Sequence, residues 1–568
     1  MEIGPLQGES PWWIGGRIIC GIGFPVYPWP RLPLKMLMKK IFTDDLWAKY
    51  VEKVEEDFHL KTYPHFDPYF DFPRFKDKVK SILSDPSLNA INNHGFIPFV
   101  KTIQKTPRYR WQDGNEEEAG YYALETKFRP ISFASHFDTY IYGFYSFAIN
   151  QLYQEYIHSN GFQEVILAYR DDLNGKCNIQ FAKEAFNEIK SMINSGIECS
   201  AIALDIKGYF DNIDHAILKK MWCKALDVDD LPLDQYAIFR SLTKYSYVNL
   251  STFLKHFNIN LLKIEKDQRK KYKERKNPPK SYKSLFDIIP DDTCGNSFNE
   301  KMEYLRKRKL VTINSRMNAE KKRVLSNKGI PQGSAMSALL SNIYLLDFDR
   351  QIFEKGQKED FVYRRYCDDI LIICHSGEVN KIKAYIVNLI SNDYKLVIQD
   401  KKTEVIDFKS SKNGMIRSYK RNHNEELKTF DPLPNDDKNF KNLQYLGFEF
   451  NGQDIFIRPG SLSRYFRKMK ARVVKTVSMA YSPNSKSDRI FKQQMYSRYS
   501  HFGRRNFLTY AKNASNKYYT NSKGERKEGM DSPAIRKQIA AHMKILQQEI
   551  QKTSNQRATQ KGVSKVKS

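Results

Sequence analysis

Two adjacent aspartates, Asp368 and Asp369, stand in the stretch YRRYCDDILIIC, directly before the apolar residues 370–373. Neighbouring carboxylates repel each other, and the interior of a buried strand disfavours both of them. We therefore expect the pair at a strand end or in a tight turn, with a cation nearby. An isolated Asp-Asp pair is often only a turn, so the pair does not identify a site by itself.

A third acid, Asp205, follows another apolar run in the stretch CSAIALDIKGYFDNIDH, residues 199–215. Residues 201–204 predict a short buried strand, and Asp205 lies where that run gives way to Lys207 and Gly208. If this strand lies beside the one that follows Asp369, three carboxylates meet at one edge of a sheet. Such oxygen ligands suit a hard divalent cation, and we predict Mg²⁺.

Composition limits the partners that the chain can have. The 568 residues carry a formal net charge of +28 and are 41% hydrophobic, which predicts three or four lobes with packed cores. The charge predicts attraction to polyanions, with nucleic acid as the first candidate and an anionic membrane as the second. The 7 cysteines form no C-x-x-C pair and no zinc spacing. We expect a cytoplasmic protein that is not inserted in a membrane.

Four segments differ in character from the rest of the chain. Residues 1–37 form a doubtful leader, because WWIGGRIICGIGFPVYPWP is too interrupted for a membrane span and Met36 or Met38 is a candidate translation start. Residues 38–120 are expected to be an N-terminal extension. The basic segment at about 250–320 predicts an exposed insertion, with an RNA-binding element as the alternative. Residues 516–568 predict a basic helix and tail.

The order of several motifs resembles the palm of reverse transcriptases. The motifs are DIKGYFDNIDH, GIPQGSAMSALLSNIYL, YRRYCDDILIIC, QDKKTEV and NLQYLGFEF; upstream, ETKFRPISFASHFDTYIYGFY and LAYRDDLNGKCNIQFAKEAF resemble fingers motifs. The resemblance covers roughly residues 121–475. It implies an α+β, right-hand polymerase fold, with fingers and an antiparallel palm with helices over residues 121–450 and a helical thumb over residues 451–515.

The same resemblance assigns catalytic roles. Asp205, Asp368 and Asp369 are implied as the acids that hold two Mg²⁺ ions, with Mn²⁺ as a possible substitute and the carbonyl of Ile206 as a further ligand. Two such ions can activate a primer hydroxyl and neutralise a triphosphate in an in-line displacement. Lys402 matches the lysine that protonates the leaving pyrophosphate; Lys401 is its rival, and an ordinary solvated lysine is the simpler reading.

Nucleotide-binding residues are implied further along the motifs. Phe210 matches the aromatic gate that excludes a ribose 2′-hydroxyl and so selects dNTPs, although Tyr209 could exchange roles with it and a core aromatic is the alternative. Gln332 and Gly333 resemble the loop beside the incoming nucleotide. Arg129 resembles a fingers cation near the triphosphate.

Primer and duplex contacts are implied after the acids. Gly447 in YLGF resembles the glycine of the primer-grip hairpin. The predicted thumb helix SLSRYFRKMKARVVK places cations on one face, with a solubilising surface helix as the alternative. The cations are Arg464, Lys468, Arg472 and Lys475, and the apolar face has Leu462, Phe466, Met469 and Val473.

Within the family, the chain is most similar to bacterial defence-associated enzymes of the unknown-group and abortive-infection classes. It lacks segments resembling ribonuclease H, an integrase or an intron nuclease, and IFIRPGSLSRYF replaces the Val-Thr-Gly signature of retron enzymes. The resemblance implies antiviral DNA synthesis from dNTPs, on a non-coding RNA template or without an external one. A group II intron-like RNA-binding reverse transcriptase and an inactive nucleic-acid scaffold are the alternatives, and the intact acids disfavour the scaffold.

Overall fold

The computed structural model describes residues 41–56, 58–112, 121–264, 284–289, 293–317, 322–410, 415–421, 440–482, 485 and 489–560. The predicted leader, the lysine-rich centre of the predicted insertion and the last eight residues lie outside these ranges. Helices and strands are both abundant, which confirms the predicted α+β class.

The α-helices span Asp44–Glu56, Phe72–Leu83, Asn89–Asn92, Asp138–Ser159, Asn178–Asn194, Tyr209–Asn212, His215–Ala225, Leu233–Thr243, Leu250–His256, Phe298–Lys307, Ser337–Tyr344, Leu346–Glu359, Val379–Asn392, Pro459–Ala480, Gln493–Tyr499, Phe507–Ser515, Pro533–Ala540 and His542–Gln560. Short 3₁₀ helices lie at Gln163–Val165, Leu285–Ile288, Ser376–Glu378 and Asp400–Lys402. The strands are β1 (Phe99–Gln112), β2 (Tyr121–Phe133), β3 (Cys199–Asp205), β4 (Ser246–Asn249), β5 (Val311–Ile313), β6 (Ser315–Met317), β7 (Arg323–Leu325), β8 (Val362–Tyr366), β9 (Asp369–His375), β10 (Glu404–Ser410), β11 (Ile416–Lys420), β12 (Leu443–Tyr445), β13 (Phe448–Phe450), β14 (Ile455–Ile457), β15 (Tyr518–Thr520) and β16 (Arg526–Glu528).

The described residues fall into two units. The first unit comprises residues up to 163 together with 208–347 and 394–396. The second unit comprises residues 164–207, 348–393 and 397 onwards. The predicted catalytic acids therefore belong to one unit, although they come from distant parts of the chain.

The first unit contains a four-stranded sheet in the order β2-β1-β4-β5. β1 and β2 pair antiparallel from Val100 opposite Phe133 to Gln112 opposite Tyr121. The boundary predicted at residue 120 lies between these two paired strands, so the N-terminal extension and the fingers segment share one sheet. The helix Asp138–Ser159 is buried on most sides, and Tyr50 of the extension donates a hydrogen bond to the carbonyl of Tyr140 at 3.0 Å.

The described parts of the predicted insertion are not an exposed linker. Phe253, Leu285, Phe286 and Met302 are buried in one core of the first unit, where they pack with Val100 of β1 and other apolar residues. The prediction was wrong for these parts because the lysine-rich centre dominated the composition. The apolar residues on either side of it contribute to a hydrophobic core, which outweighs the charge pattern there.

The second unit is built on a five-stranded antiparallel sheet in the order β11-β10-β3-β9-β8. The apolar runs predicted as strands form β3 and β9 in its centre. One face packs on the helix Asn178–Asn194, which buries Phe186 and Ile189 against it. The helix Val379–Asn392 also contacts β3. The middle of β9, residues 370–374, is buried, whereas Asp369 and His375 at its two ends are exposed.

The chain after β14 continues the core of the second unit. The helix Pro459–Ala480 packs along His542–Gln560 through a shared apolar cluster of Met469, Val473, Val477, Leu546 and Ile550. Of the predicted apolar face of the first helix, Met469 and Val473 are buried, and Leu462 and Phe466 are partly buried; Tyr465 is buried as well. The predicted C-terminal helix is two helices separated at Ala541, and Ile535 and Ile539 of the first join the core around the sheet.

Within the described ranges, no helix is both long and apolar enough to cross a bilayer.

Candidate active site

Three acids lie at one edge of the sheet in the second unit. β3 and β9 pair antiparallel with Asp205 directly opposite Asp369, and directly opposed residues have Cβ atoms about 5 Å apart. Asp368 lies in the two-residue turn between β8 and β9, because Tyr366 and Asp369 form the last pair of that hairpin. The backbone N–H of Ile206 donates to the carbonyl of Asp368 at 3.1 Å, which ties the end of β3 to this turn. The sequence pattern required this strand pairing for the acids to converge.

The turn that carries Asp368 has an unusual backbone. Cys367 is buried and has a φ of 59°, in the left-handed region that costs a non-glycine residue about 1 to 2 kcal/mol. Nη1 of Arg365 donates to the carbonyl of Cys367 at 3.1 Å. Arg365 is itself held by Asp349 through an Nε to Oδ1 bond of 2.7 Å, and both side chains are 0% exposed. The buried ion pair of Arg365 and Asp349 thus holds the turn through the carbonyl of Cys367.

The carboxylates at this edge of the sheet repel one another. The pKa of Asp369 is raised to about 6, first by burial and then by the charges of Asp368 and Asp205, whereas Lys402 and Arg458 act in the opposite direction. The outer part of the Asp369 side chain is open to solvent, so water screens some of this repulsion. A cation bound at this edge of the sheet would therefore be stabilised by the carboxylates.

Lys402 supplies one such charge. It ends the 3₁₀ helix Asp400–Lys402, and its Nζ donates to Oδ2 of Asp205 at 2.8 Å. The N–H of Gln399 donates to the carbonyl of Asp205 at 2.8 Å, so the segment before Lys402 is fixed to the end of β3. The sequence identified Lys402, but not this contact. The side chain of its rival, Lys401, lies outside the described part of the chain.

The donor set fits Mg²⁺ in its chemistry, since it consists of carboxylates that repel one another. The side chains of the acids do not form a ready metal site: among the described residues, no three His, Cys, Asp or Glu side chains are arranged as ligands of one metal ion. Asp205 is instead engaged with Lys402. The ligand roles of the three acids and of the Ile206 carbonyl stay predictions.

Phe210 and Tyr209 lie in the first unit, in the short helix Tyr209–Asn212. Tyr209 is 3% exposed and its hydroxyl donates to the carbonyl of Ser341, so it is part of the core. Phe210 is only partly buried, and its carbonyl accepts from the N–H of Ile330 at 3.0 Å. Of the two rings, Phe210 is the one with an accessible face, which favours it over Tyr209 as the gate.

The loop with Gln332 and Gly333 is fixed at both ends in the first unit. Ile330 binds Phe210, and the carbonyl of Gln332 accepts from the N–H of Ser132 at 2.8 Å. Gly333 has a φ of 112°, and a Cβ there would lie 3.0 Å from the carbonyl oxygen of Ser132, so glycine is required. Arg129 is exposed on the same strand as Ser132. The loop thus contacts the helix of Phe210 through Ile330 and the strand of Arg129 through Ser132, and the nucleotide-binding roles of these residues stay predictions.

Gly447 lies in the two-residue turn between β12 and β13, where Tyr445 pairs with Phe448. Leu446 and Gly447 have φ values of 45° and 92°. Two consecutive left-handed residues define the hairpin turn that usually has the sequence Asn-Gly, and leucine in this conformation costs about 1 to 2 kcal/mol. The N–H of Arg458 donates to the carbonyl of Gly447 at 3.1 Å.

The predicted duplex-binding cations lie along the helix Pro459–Ala480. Arg464 and Lys468 are exposed, whereas Arg472 is partly buried and donates to Oε1 of Gln494. Nε of Arg464 donates to the carbonyl of Gly460 at 3.0 Å, which orients it along its own helix. The role of these cations in duplex binding stays a prediction.

Two features near the acids were missed from the sequence. Arg365 stands in the quoted motif, but its partner Asp349 lies 16 residues earlier and no local pattern marks the pair. Tyr169 has a φ of 61°, and burial, followed by the proximity of Cys367 and Asp368, raises its pKa. The strained backbone of Tyr169 could not be read from its type, because tyrosine does not favour that conformation.

Part of the sequence matches a known protein family. Residues 283–450 match the family described as reverse transcriptase (RNA-dependent DNA polymerase). The matched range includes Gln332, Gly333, Asp368, Lys402 and Gly447, and it begins after β3. No curated protein matches the sequence.

Among solved structures, the chain aligns with telomerase from Candida albicans in complex with a TWJ fragment of telomeric RNA, at 13% identity and a TM-score of 0.31, covering 76% of this chain and 59% of that one. It also aligns with apo telomerase from Candida tropicalis truncated of its C-terminal domain, at 10% identity and a TM-score of 0.31, covering 69% and 61%. The chain thus spans about three fifths of these telomerases.

The antiparallel sheet with its acidic edge agrees with the predicted right-hand polymerase class. The family match agrees with this class, and residues 283–450 are similar to the reverse transcriptase domain.

Proposed function

We propose that this protein is an RNA-directed DNA polymerase that adds dNTPs to the 3′ end of a primer. The observation that carries the proposal is the register of β3 and β9, which sets Asp205 opposite Asp369 and beside the turn with Asp368. A sheet edge with three repelling carboxylates is costly without a cation, and it suits the two-metal chemistry of nucleotidyl transfer.

Residues of the chain divide the work of this reaction. When bound by Asp205, Asp368 and Asp369, Mg²⁺ would activate the primer hydroxyl and neutralise charge on the triphosphate. Lys402 holds a proton on its Nζ beside Asp205, in a position to serve as an acid for the leaving group. Phe210 excludes the ribose 2′-hydroxyl by the bulk of its ring.

The biological role that we propose is antiviral defence in a bacterium. The support is the similarity of the motifs to defence-associated reverse transcriptases. The partners are an RNA template, which a dedicated non-coding RNA would provide, and the DNA product; synthesis without a template is the variant of the same proposal. The net charge of +28 favours a stable association with such nucleic acid.

Asp368→Asn tests the catalytic proposal. The variant should lose Mg²⁺-dependent or Mn²⁺-dependent dNTP incorporation while it keeps its melting temperature, because the substitution removes a ligand and relieves repulsion among the acids. Asp360→Asn is the matched control: Asp360 is exposed in the same unit and has a φ of 53°, a conformation that asparagine accepts. Full activity of the Asp368→Asn protein would end the proposal.

Phage challenge tests the biological role. Expressed with its native flanking DNA, the wild-type protein should reduce infection, whereas the Asp368→Ala, Asp369→Ala double variant should not, although it keeps every Lys and Arg. Equal protection by both proteins at matched expression would favour the scaffold. Sequencing the co-purifying nucleic acid identifies the template, and spliced intron RNA there would favour the group II intron-like alternative.

A further inference from the structure

The turn of Leu446 and Gly447 is held by a side chain from a distant helix. Nδ2 of Asn178 donates to the carbonyl of Leu446 at 2.9 Å and to the hydroxyl of Tyr510 at 2.8 Å. Asn178 is the first residue of the helix Asn178–Asn194, and Tyr510 lies in the helix Phe507–Ser515. A primary amide has two N–H donors, and both of them are used here.

The two contacts fix the direction of the amide. Burial raises the pKa of Tyr510, while the hydrogen bond that its hydroxyl accepts from Asn178 acts in the opposite direction and holds the hydroxyl in place. Its ring lies 5.9 Å from the ring of Phe448, the first residue after the turn. The helix of Tyr510 is anchored in turn by the buried residues Leu508 and Ala511 in the core beneath the sheet.

The strands on either side of the turn do not need this amide for their own stability. Leu443, Phe448 and Phe450 are each 0% exposed in the core, whereas Leu446 and Gly447 are partly open to solvent. Loss of the amide contact would therefore release the turn, while the two strands of the hairpin would stay paired. Leucine in a left-handed conformation returns readily to an extended one when nothing holds its carbonyl.

We propose that Asn178 and Tyr510 are positioning residues that hold the Leu446–Gly447 turn in the shape that grips the primer end. The inference rests on the proposed polymerase function and extends it to a segment after the matched domain. The helix Phe507–Ser515 then serves the primer site, in addition to its packing role. Neither residue touches the reacting atoms.

The test uses the full-length protein with oligo(dT) on poly(rA) and dTTP, and it measures the primer KM, the rate of single-nucleotide addition and the melting temperature. Asn178→Asp is nearly isosteric but presents a carboxylate to the carbonyl of Leu446. It should raise the primer KM about tenfold, the loss expected for one well-placed hydrogen bond, with the rate at saturating primer within about twofold. Tyr510→Phe should raise the KM less, because Asn178 keeps its bond to Leu446.

The matched control is Asn521→Asp in the turn between β15 and β16. Asn521 also donates from Nδ2, to Glu525 at 2.8 Å. The substitution Asn521→Asp should leave the primer KM unchanged. Adding Leu446→Asn to Asn178→Asp should recover most of the KM, because Asn-Gly forms this turn without help.

The outcomes distinguish the positioning role from a purely structural one. A primer KM within twofold of wild type for Asn178→Asp overturns the inference, as does a loss of melting temperature with unchanged KM, which would mark a purely structural role. If Asn178→Asp does not fold, the KM of Tyr510→Phe decides in its place. A wild-type protein that incorporates no dTTP at all would instead refute the proposed function.

Discussion

Replacing Arg365 by methionine should destabilise the protein by about 3 to 5 kcal/mol, because the change leaves the carboxylate of Asp349 buried without its cation. Both side chains are 0% exposed. Arg365 makes two charge-assisted hydrogen bonds to Asp349, each worth about 1.5 to 3 kcal/mol, and Nη1 bonds the carbonyl of Cys367. The sum of the first two agrees with the cost of breaking a buried pair.

The informative comparison is an apolar replacement of the whole cluster. Oδ1 of Asp349 also accepts from the hydroxyl of Tyr363 at 2.6 Å, so the replacement must include that residue. The triple variant Arg365→Met, Asp349→Leu, Tyr363→Phe leaves no buried charge or unpaired hydroxyl in the cluster, and its stability should lie within about 2 kcal/mol of wild type. Its catalytic turn, however, has lost the donor to Cys367.

Urea unfolding and primer extension separate these effects. The single variant should lose stability and activity, whereas the triple variant should recover stability but not the rate of nucleotide addition. Arg350→Met is the control, since its pair with Glu354 is partly exposed and should contribute less than about 1 kcal/mol. A single variant within about 1 kcal/mol of wild type would refute the energetic reasoning, and a fully active triple variant would refute the anchoring of the turn.

Three further predictions concern the site itself. Phe210→Ala should raise ribonucleotide incorporation relative to deoxynucleotide by about tenfold or more, while Tyr209→Phe should leave the ratio unchanged; equal ratios in both would remove the gate. Because the pKa of Asp369 is raised to about 6, its ionised form disfavours folding: without metal, Asp369→Asn should stabilise the protein at pH 8, and denaturant titrations should show this gain shrinking as pH falls through 6. Lys402→Met should slow single-turnover addition by at least about tenfold and Lys401→Met should not, whereas equal rates would leave Lys402 without an acid role.

The sheet and its acidic edge were predictable because the signals are local. Four apolar residues before Asp205 and four after Asp369 predict two short buried strands, and a charge at a strand end has few other places to lie. The register followed from one requirement, that the carboxylates share a site. The residues between these motifs gave no comparable constraint, so the sequence could order the strands only through the resemblance.

Long-range partners could not be predicted. Asn178 and Tyr510 are 332 residues apart, and an asparagine at a helix start is ordinarily read as a cap. The bond of Asn178 to the carbonyl of Leu446 exists because β13 and the helix Phe507–Ser515 pack on the same core, and no window of sequence contains that information. The prediction of an exposed insertion was wrong for a related reason, since Phe253 and Phe286 share a hydrophobic core only in the folded unit.

The energetics of the acidic edge argue for the enzyme and against the scaffold. Asp369 has a raised pKa because burial and two neighbouring carboxylates disfavour its charge, so an asparagine there would make the metal-free fold more stable. Lys402 relieves this repulsion only in part, through a single contact to Asp205. A protein that merely bound nucleic acid through its surplus of lysine and arginine would gain from losing such acids, since they also repel phosphates. Their presence together, in and beside a turn where a buried ion pair holds Cys367 in a left-handed conformation, is explained if a cation and a reacting triphosphate complete the site.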